Sequence, residues 1–179
     1  MRRRGWWRGW VLLALAVAAL VVRCDSDSGG GGGVDSGARI DARVLEVVDG
    51  DTVRVDLEGG GRESVRYIGI DTPESNPDQP LECFGHQAAA ANVRLAGGRT
   101  VELEIGAEAR DRYGRLLAYV RLPGNGGEGS ARLVNAALVR DGFARTLTIP
   151  PNDALAPLLR RLEASAARSG RGLWGACNE

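Results

Sequence analysis

The chain has 179 residues, with 23 Arg and no Lys against 23 Asp and Glu, one His and three Cys. That length holds one core-forming domain plus a tail, and a formal charge of zero argues against the broad basic footprint of a protein that coats nucleic acid. Residues 1–38 carry five Arg against three Asp, so residues 39–179 keep 18 Arg, 20 acidic side chains and a net charge of −2, leaving room only for a local Arg cluster as a phosphate site.

Residues 1–24, MRRRGWWRGWVLLALAVAALVVRC, join a positive start to an apolar run from Trp10 to Val22. This pattern predicts export: the run has the length of a signal-peptide core and falls short of the roughly 20 residues that span a bilayer. Arg23 stands where cleavage and acylation patterns want a small residue, so cleavage, uncleaved anchoring and acylation at Cys24 all stay open. The expected location is secreted, or attached to the outer face of the cytoplasmic membrane. Residues 25–38 form a Gly/Ser/Asp-rich linker, DSDSGGGGGVDSG followed by Ala38, with nothing to build a core.

Residues 39–179 are the predicted folded domain. Val44–Val48, Thr52–Leu57 and Ser64–Ile70 are β-branched runs separated by turn residues at Asp49-Gly50 and Glu58–Gly61, the pattern of a three-stranded meander. FGHQAAAANVRLAGG, residues 84–98, predicts a helix closed by Gly97-Gly98. Thr100–Ile105 and Leu116–Leu122 read as two further strands. Ser130–Asp141 has the spacing of an amphipathic helix that stops at Gly142, with Leu133, Val134, Ala137 and Leu138 on one face. Asp153–Ser169 predicts a longer helix capped by Asp153, with Leu155, Leu158, Leu159 and Leu162 on one face. Five short strands with a helix after the third are compatible with an OB-type barrel.

The chemistry gathers around VVDGDTVRVD (47–56) and YIGIDTPE (67–74). Asp51 opens the second predicted strand and Asp71 closes the third, so a meander can bring both to one end of the sheet. Two hard oxygen ligands there suit Ca²⁺ or Mg²⁺. Glu74 follows at once on a loop, placed to act as general base on a water. Arg66 on the third strand and Arg115 after the turn DRYG add two guanidiniums. A cation site, a free carboxylate and forked donors are the parts needed to hydrolyse a phosphodiester. Each residue alone reads more simply as turn chemistry or a solvated strand position.

The blocks VVDGDTVRV, VRYIGIDTPE, FGHQAAA, DRYGRLLAYV, LVNAALVRDGFA and RGLW resemble the staphylococcal nuclease (thermonuclease) family, in order and spacing, from about Ala42 to Trp174. The resemblance implies an α+β fold, a five-stranded OB-fold β-barrel with three α-helices. It also implies a Ca²⁺-dependent phosphodiesterase that cuts single-stranded DNA and RNA to leave 3′-phosphate ends. Asp51 and Asp71 with the Thr72 carbonyl are then the calcium ligands, and Glu74 is the base. Arg66 and Arg115 bind the scissile phosphate, and Tyr113 touches a terminal phosphate. The chain departs from the family pattern at TLTIPPN, Thr146–Asn152, where the archetype is rich in Tyr; base stacking is worth about 1 to 3 kcal/mol, so weaker substrate binding is expected. His86 matches no catalytic position and is expected to be structural or solvent-facing, and Trp174 a packing anchor.

Export places the chain in an oxidising compartment, and Cys83 and Cys177, the two cysteines of the folded part, are expected to pair. A closure this long is worth roughly 4 to 5 kcal/mol at most. No obligate protein partner is expected, so the domain reads as a monomer. The competing reading is a nuclease-like OB domain that binds nucleic acid or protein at the cell surface without cleaving; a third takes the acids as turn formers in a displayed structural domain. Retention of Asp51, Arg66, Asp71, Glu74 and Arg115 favours the enzyme.

Overall fold

The computed structural model describes residues 34–75, 80–124 and 133–177. The predicted export segment and linker as far as residue 33 lie outside the described residues, as do residues 130–132 of the predicted helix at 130–141. Among the described residues no helix is long and apolar enough to cross a membrane.

Five strands close into a barrel: β1 (Arg39–Val47), β2 (Thr52–Leu57), β3 (Arg62–Tyr67), β5 (Thr100–Arg110) and β6 (Leu116–Arg121), in the order β1-β2-β3-β6-β5. All neighbouring pairs are antiparallel except β3 with β6, which run parallel in the register Val65↔Leu116 to Tyr67↔Ala118. Alternation decides what points inward: Val53 and Val55, Val65 and Tyr67, Val101, Leu103 and Ile105, and Leu116, Ala118 and Val120 are all buried. Their neighbours Arg54 and Arg66 point outward on the face that carries the site.

Helices α1 (Gly85–Ala96), α2 (Val134–Arg140), α3 (Ala156–Arg168) and the single turn α4 (Leu173–Ala176) complete the chain. The architecture is thus the α+β barrel with three main helices. Buried asparagines fasten the helices to it. Asn135 of α2 accepts the Val120 N–H (2.9 Å) and donates to the Ile68 carbonyl (2.8 Å). Asn92 of α1 accepts the Tyr67 hydroxyl (2.9 Å) and donates to the Asp49 carbonyl (3.0 Å). Both amides are fully buried, so removing either would strand its partners without water.

Several details differ from the sequence reading, among them a β5 that runs to Arg110, five residues past the expected end. The run predicted as one strand over Ser64–Ile70 breaks: β3 ends at Tyr67, Gly69 takes φ +80°, and β4 (Ile70–Asp71) leaves the barrel to pair with β7 (Arg145–Thr146). Asn135 and Arg66 capture the carbonyls of Ile68 and Ile70 that a continuous strand would offer a neighbour. Gly69 is further needed because a Cβ there would meet Leu159 Cδ1 at 2.6 Å. β1 begins at Arg39, five residues earlier than expected, because Arg39–Arg43 pair with β5. Asp153 does not cap α3 with its side chain: the helix starts at Ala156 with Pro157 in its first turn, where proline's fixed φ suits it, and only the Asp153 carbonyl is used, by the Ala156 N–H at 2.9 Å. The turn α4 was not anticipated.

Candidate active site

Three segments meet at one end of the barrel: the β1–β2 turn, the outer face of β3 with the chain through β4 to Glu74, and the start of β6. Between them lies a polar cleft of about 340 Å³ whose walls include Asp51, Arg66, Asp71, Thr72, Glu74 and Arg115. The two acids, two arginines and loop carboxylate singled out in the sequence therefore share one cavity.

The β1–β2 turn holds itself by the chemistry its sequence suggests. Asp49 accepts the Asp51 N–H at 2.9 Å, and the Thr52 carbonyl accepts the Val48 and Asp49 N–H groups at 2.9 and 3.3 Å. Gly50 has a second use, because a Cβ there would lie 2.5 Å from Thr72 Oγ1. Its absence lets Thr72 close over Asp51, which accepts both the Thr72 N–H (2.8 Å) and hydroxyl (3.0 Å) on Oδ2. Asp51 is only 4% exposed. Burial pushes its carboxyl up to about 7, against the pull of Arg66 and Thr72 and with a further push from Asp49.

Arg66 lies between the two acids. Its Nε is 3.2 Å from Asp51 Oδ1 and its Nη2 donates to Asp71 Oδ1 at 2.8 Å, while Nη1 donates to the carbonyls of Tyr67 (3.0 Å) and Ile70 (2.9 Å). This guanidinium, assigned from the sequence to substrate phosphate, also binds the acid pair together and stabilises the β3–β4 break. Asp71 keeps an exposed carboxylate, with 58% of its side chain accessible.

Arg115 is oriented by a residue the sequence reading passed over. Asp111 accepts Arg115 Nε at 2.7 Å and, on its other oxygen, the backbone N–H groups of Tyr113 (2.9 Å) and Arg115 (3.0 Å). Burial alone would raise the Asp111 carboxyl, but these bonds and the Arg115 charge hold it below its ordinary value. The signal was the Asp–Arg spacing of four within DRYGR. Behind it, Arg110 pairs with Glu63 through two bonds of 3.0 and 2.7 Å and donates to the Gly114 carbonyl, fixing the turn to β3.

Glu74 is tied through its backbone: its N–H donates to Glu82 Oε2 at 3.0 Å and its carbonyl accepts the Glu82 N–H at 3.1 Å. Its carboxylate accepts the Ser75 N–H at 2.8 Å. Tyr113 stands elsewhere. It is 69% exposed, flanked by the guanidiniums of Arg112 and Arg115 at 4.7 and 5.5 Å from its ring, and lines a second cavity of about 430 Å³. That cavity shares Arg66 and Arg115 with the cleft, but its other walls include Ile68, Leu117, Leu147 and Ile149. Leu147 and Ile149, from the stretch without aromatics, are 40% and 58% exposed. Asn152 closes it, exchanging bonds of 3.0 and 2.9 Å with the backbone of Glu108.

Cys83 and Cys177 are disulfide-bonded, with Cα atoms 5.9 Å apart. His86 is exposed on the first turn of α1 and lines neither cavity. Trp174 is half-buried beneath Arg145, whose guanidinium lies 4.6 Å from a ring centroid.

Among the described residues no group of three or more His, Cys, Asp or Glu side chains is gathered for a metal ion. The donors around Asp51 nevertheless fit a hard divalent cation with waters in its shell. They are all oxygens, and a buried carboxyl raised to about 7 is one that Arg66 alone leaves under-compensated. The cleft has space for a hydrated ion.

A family model described as staphylococcal nuclease homologue matches residues 64–176. The chain is 32% identical to a thermonuclease of Staphylococcus intermedius and 29% identical to a thermonuclease of Staphylococcus hyicus, in each case over 93% of this chain and 95% of the relative. It is 32% identical to the endonuclease YncB of Bacillus subtilis (strain 168) over 75% of this chain and 62% of that protein.

Proposed function

The chain belongs to the staphylococcal nuclease family, and from that premise we propose that it is a nuclease, a Ca²⁺-dependent phosphodiesterase acting on single-stranded DNA and RNA with little sequence preference and leaving 3′-phosphate ends. The observation that carries this reading is the meeting of Asp51, Asp71, Glu74, Arg66 and Arg115 in one polar cleft. Asp51, Asp71 and the Thr72 carbonyl would hold the cation, which when bound offsets charge on the phosphate and its leaving oxygen.

The chain's own residues do the rest. With Nε fixed on Asp111, Arg115 turns its terminal N–H groups toward a phosphate in the cleft, and the planar fork suits two phosphate oxygens. Arg66 exchanges part of its hold on the acids for the same phosphate as charge builds there. Glu74 takes a proton from the attacking water as the water oxygen joins phosphorus; the bond to O5′ breaks, the departing O5′ takes a proton from a solvent water, and Glu74 later returns its proton to solvent. Phosphate contacts carry no base identity, which supports broad specificity.

The domain is proposed to work as a monomer, secreted or held by residues 1–24 at the outer face of the membrane; the Cys83–Cys177 bond supports an oxidising compartment. End-labelled single- and double-stranded oligonucleotides incubated with Ca²⁺ and with EGTA test the reading. Expected are 3′-phosphate products from single strands with Ca²⁺ and none with EGTA. Oligonucleotide binding without cleavage at any divalent cation would instead make the domain a binding module.

A further inference from the structure

Of the five charged side chains singled out for the site, one stands away from every strand. Asp51, Arg66 and Arg115 belong to β2, β3 and β6 or to the residue next to them, and Asp71 to β4, whereas Glu74 stands on the loop leading to α1. A loop carboxylate is useful only if its backbone is held, and the structure shows what holds it.

Glu82, eight residues on, grips Glu74 from both sides: its carboxylate accepts the Glu74 N–H and its own N–H donates to the Glu74 carbonyl. Gly85 supports the same peptide from below, since a Cβ at Gly85 would lie 2.1 Å from the Glu74 oxygen. Residues 82–85 are themselves anchored. Cys83 is bonded to Cys177, and Phe84, held at φ +72°, stacks on Phe143 with centroids 5.6 Å apart. Cys177 in turn follows α4, whose Leu173 is 2% exposed and donates its N–H to the Gly142 carbonyl at the end of α2. Covalent and packed contacts thus run from the α2 end through Cys177 and Cys83 to Glu82, and from Glu82 to Glu74.

We propose that Glu82, backed by the Cys83–Cys177 bond, is a positioning residue that sets the place of Glu74 in the cleft. The proposal rests on the reading of Glu74 as the base. Among the described residues Glu82 has no hydrogen bond or ion pair to either acid of the pair or to either arginine, and it does not line the cleft, so its loss leaves the phosphate-binding groups in place. Because a displacement of about 1 Å at a reacting group costs up to ~100-fold in rate, loosening the clamp lowers kcat and spares KM.

Steady-state kinetics on an oligonucleotide, with melting curves for each protein, test this. Glu82→Ala should lower kcat about 10-fold or more with KM within about 2-fold. Glu82→Gln, which keeps an acceptor oxygen, should recover most of that loss. The Cys83→Ser/Cys177→Ser protein should show the same kcat-selective defect at a temperature where it is folded. In the Glu74→Gln background Glu82→Ala should cost nothing further, because the group it places is already gone. A full additional loss in that background would mark Glu82 as merely structural and overturn the proposal, as would unchanged kcat in Glu82→Ala. If Glu74→Gln alone leaves kcat intact, the assignment of the base falls first and the positioning role with it.

Discussion

Two cavities adjoin on this molecule and share the guanidiniums of Arg66 and Arg115, yet they are built from opposite materials. The polar cleft is walled by carboxylates, hydroxyls and arginines whose partners are specified to within a hydrogen bond. Its neighbour presents Ile68, Leu117, Leu147 and Ile149 around the exposed ring of Tyr113. Directional bonds fix the first, so small changes there should alter the chemical step. Apart from the polar groups at its edges, the second offers shape and apolar area, so changes to its apolar wall should alter how tightly substrate is held. The comparison predicts a division between kcat and KM that follows the boundary between the two.

The largest effects are expected in the cleft. Glu74→Gln should lower kcat by about 10²-fold or more while leaving KM nearly unchanged. Arg115→Lys should not behave as a conservative change, because an ammonium loses both the Nε bond to Asp111 and the two-pronged face toward phosphate; a loss of about 10²-fold or more is expected here as well. Oligonucleotide kinetics on both variants check this. Full Ca²⁺-dependent cleavage surviving in both would break the comparison at its polar end.

An intermediate effect should come from rebuilding the apolar wall. Ile149→Tyr adds an aromatic face to the cavity that Tyr113 also lines, and stacking of one base is worth about 1 to 3 kcal/mol, roughly 5- to 150-fold in affinity. KM for single strands should fall while kcat stays put, and duplex should benefit less. If kcat rises and KM does not move, the second cavity is part of the chemistry and the division fails.

The same boundary separates what was legible in the sequence from what was not. The cleft's ligands lie in short local signatures, Asp51 and Asp71 each in an Asp-Thr pair, with Glu74 three residues beyond Asp71. The break at Gly69 was hidden because Ile68 and Ile70 extend the apolar run. What stops the strand is a bond to Ile68 from Asn135, 67 residues away. Pairing of β1 with β5 lengthened the first strand for the same reason, and Pro157 moved the start of α3 past a good capping residue. The turn α4 is four residues long, too short for any periodicity. The apolar cavity draws on β3, β6, the turn before β6 and the chain after β7, a meeting that no local pattern encodes. Glu82's hold on Glu74 is likewise a backbone bond across a loop.

The smallest effect expected tests whether Asp111, which holds the Arg115 shared by both cavities, is a structural as well as an orienting residue. Its folded pKa lies below the ordinary 3.8, the balance of burial, which raises it, against the Arg115 and Tyr113 hydrogen bonds, which prevail. A carboxyl with a lowered folded pKa binds fewer protons in the native state than in the unfolded one, so its contribution is complete above pH 3.8 and is lost as pH falls through the lower folded value. The Arg115 partner is partly solvated, with 31% of its side chain accessible, which keeps the contribution to about 1 kcal/mol or less. Asp111→Asn should therefore melt about 2 to 4 °C below wild type at pH 7, with the gap closing as the pH drops below 3.8. A gap that stays constant into acid would mean that the Asn change acts through packing or backbone geometry and not through the charge. Arg115 would then be oriented by the turn itself.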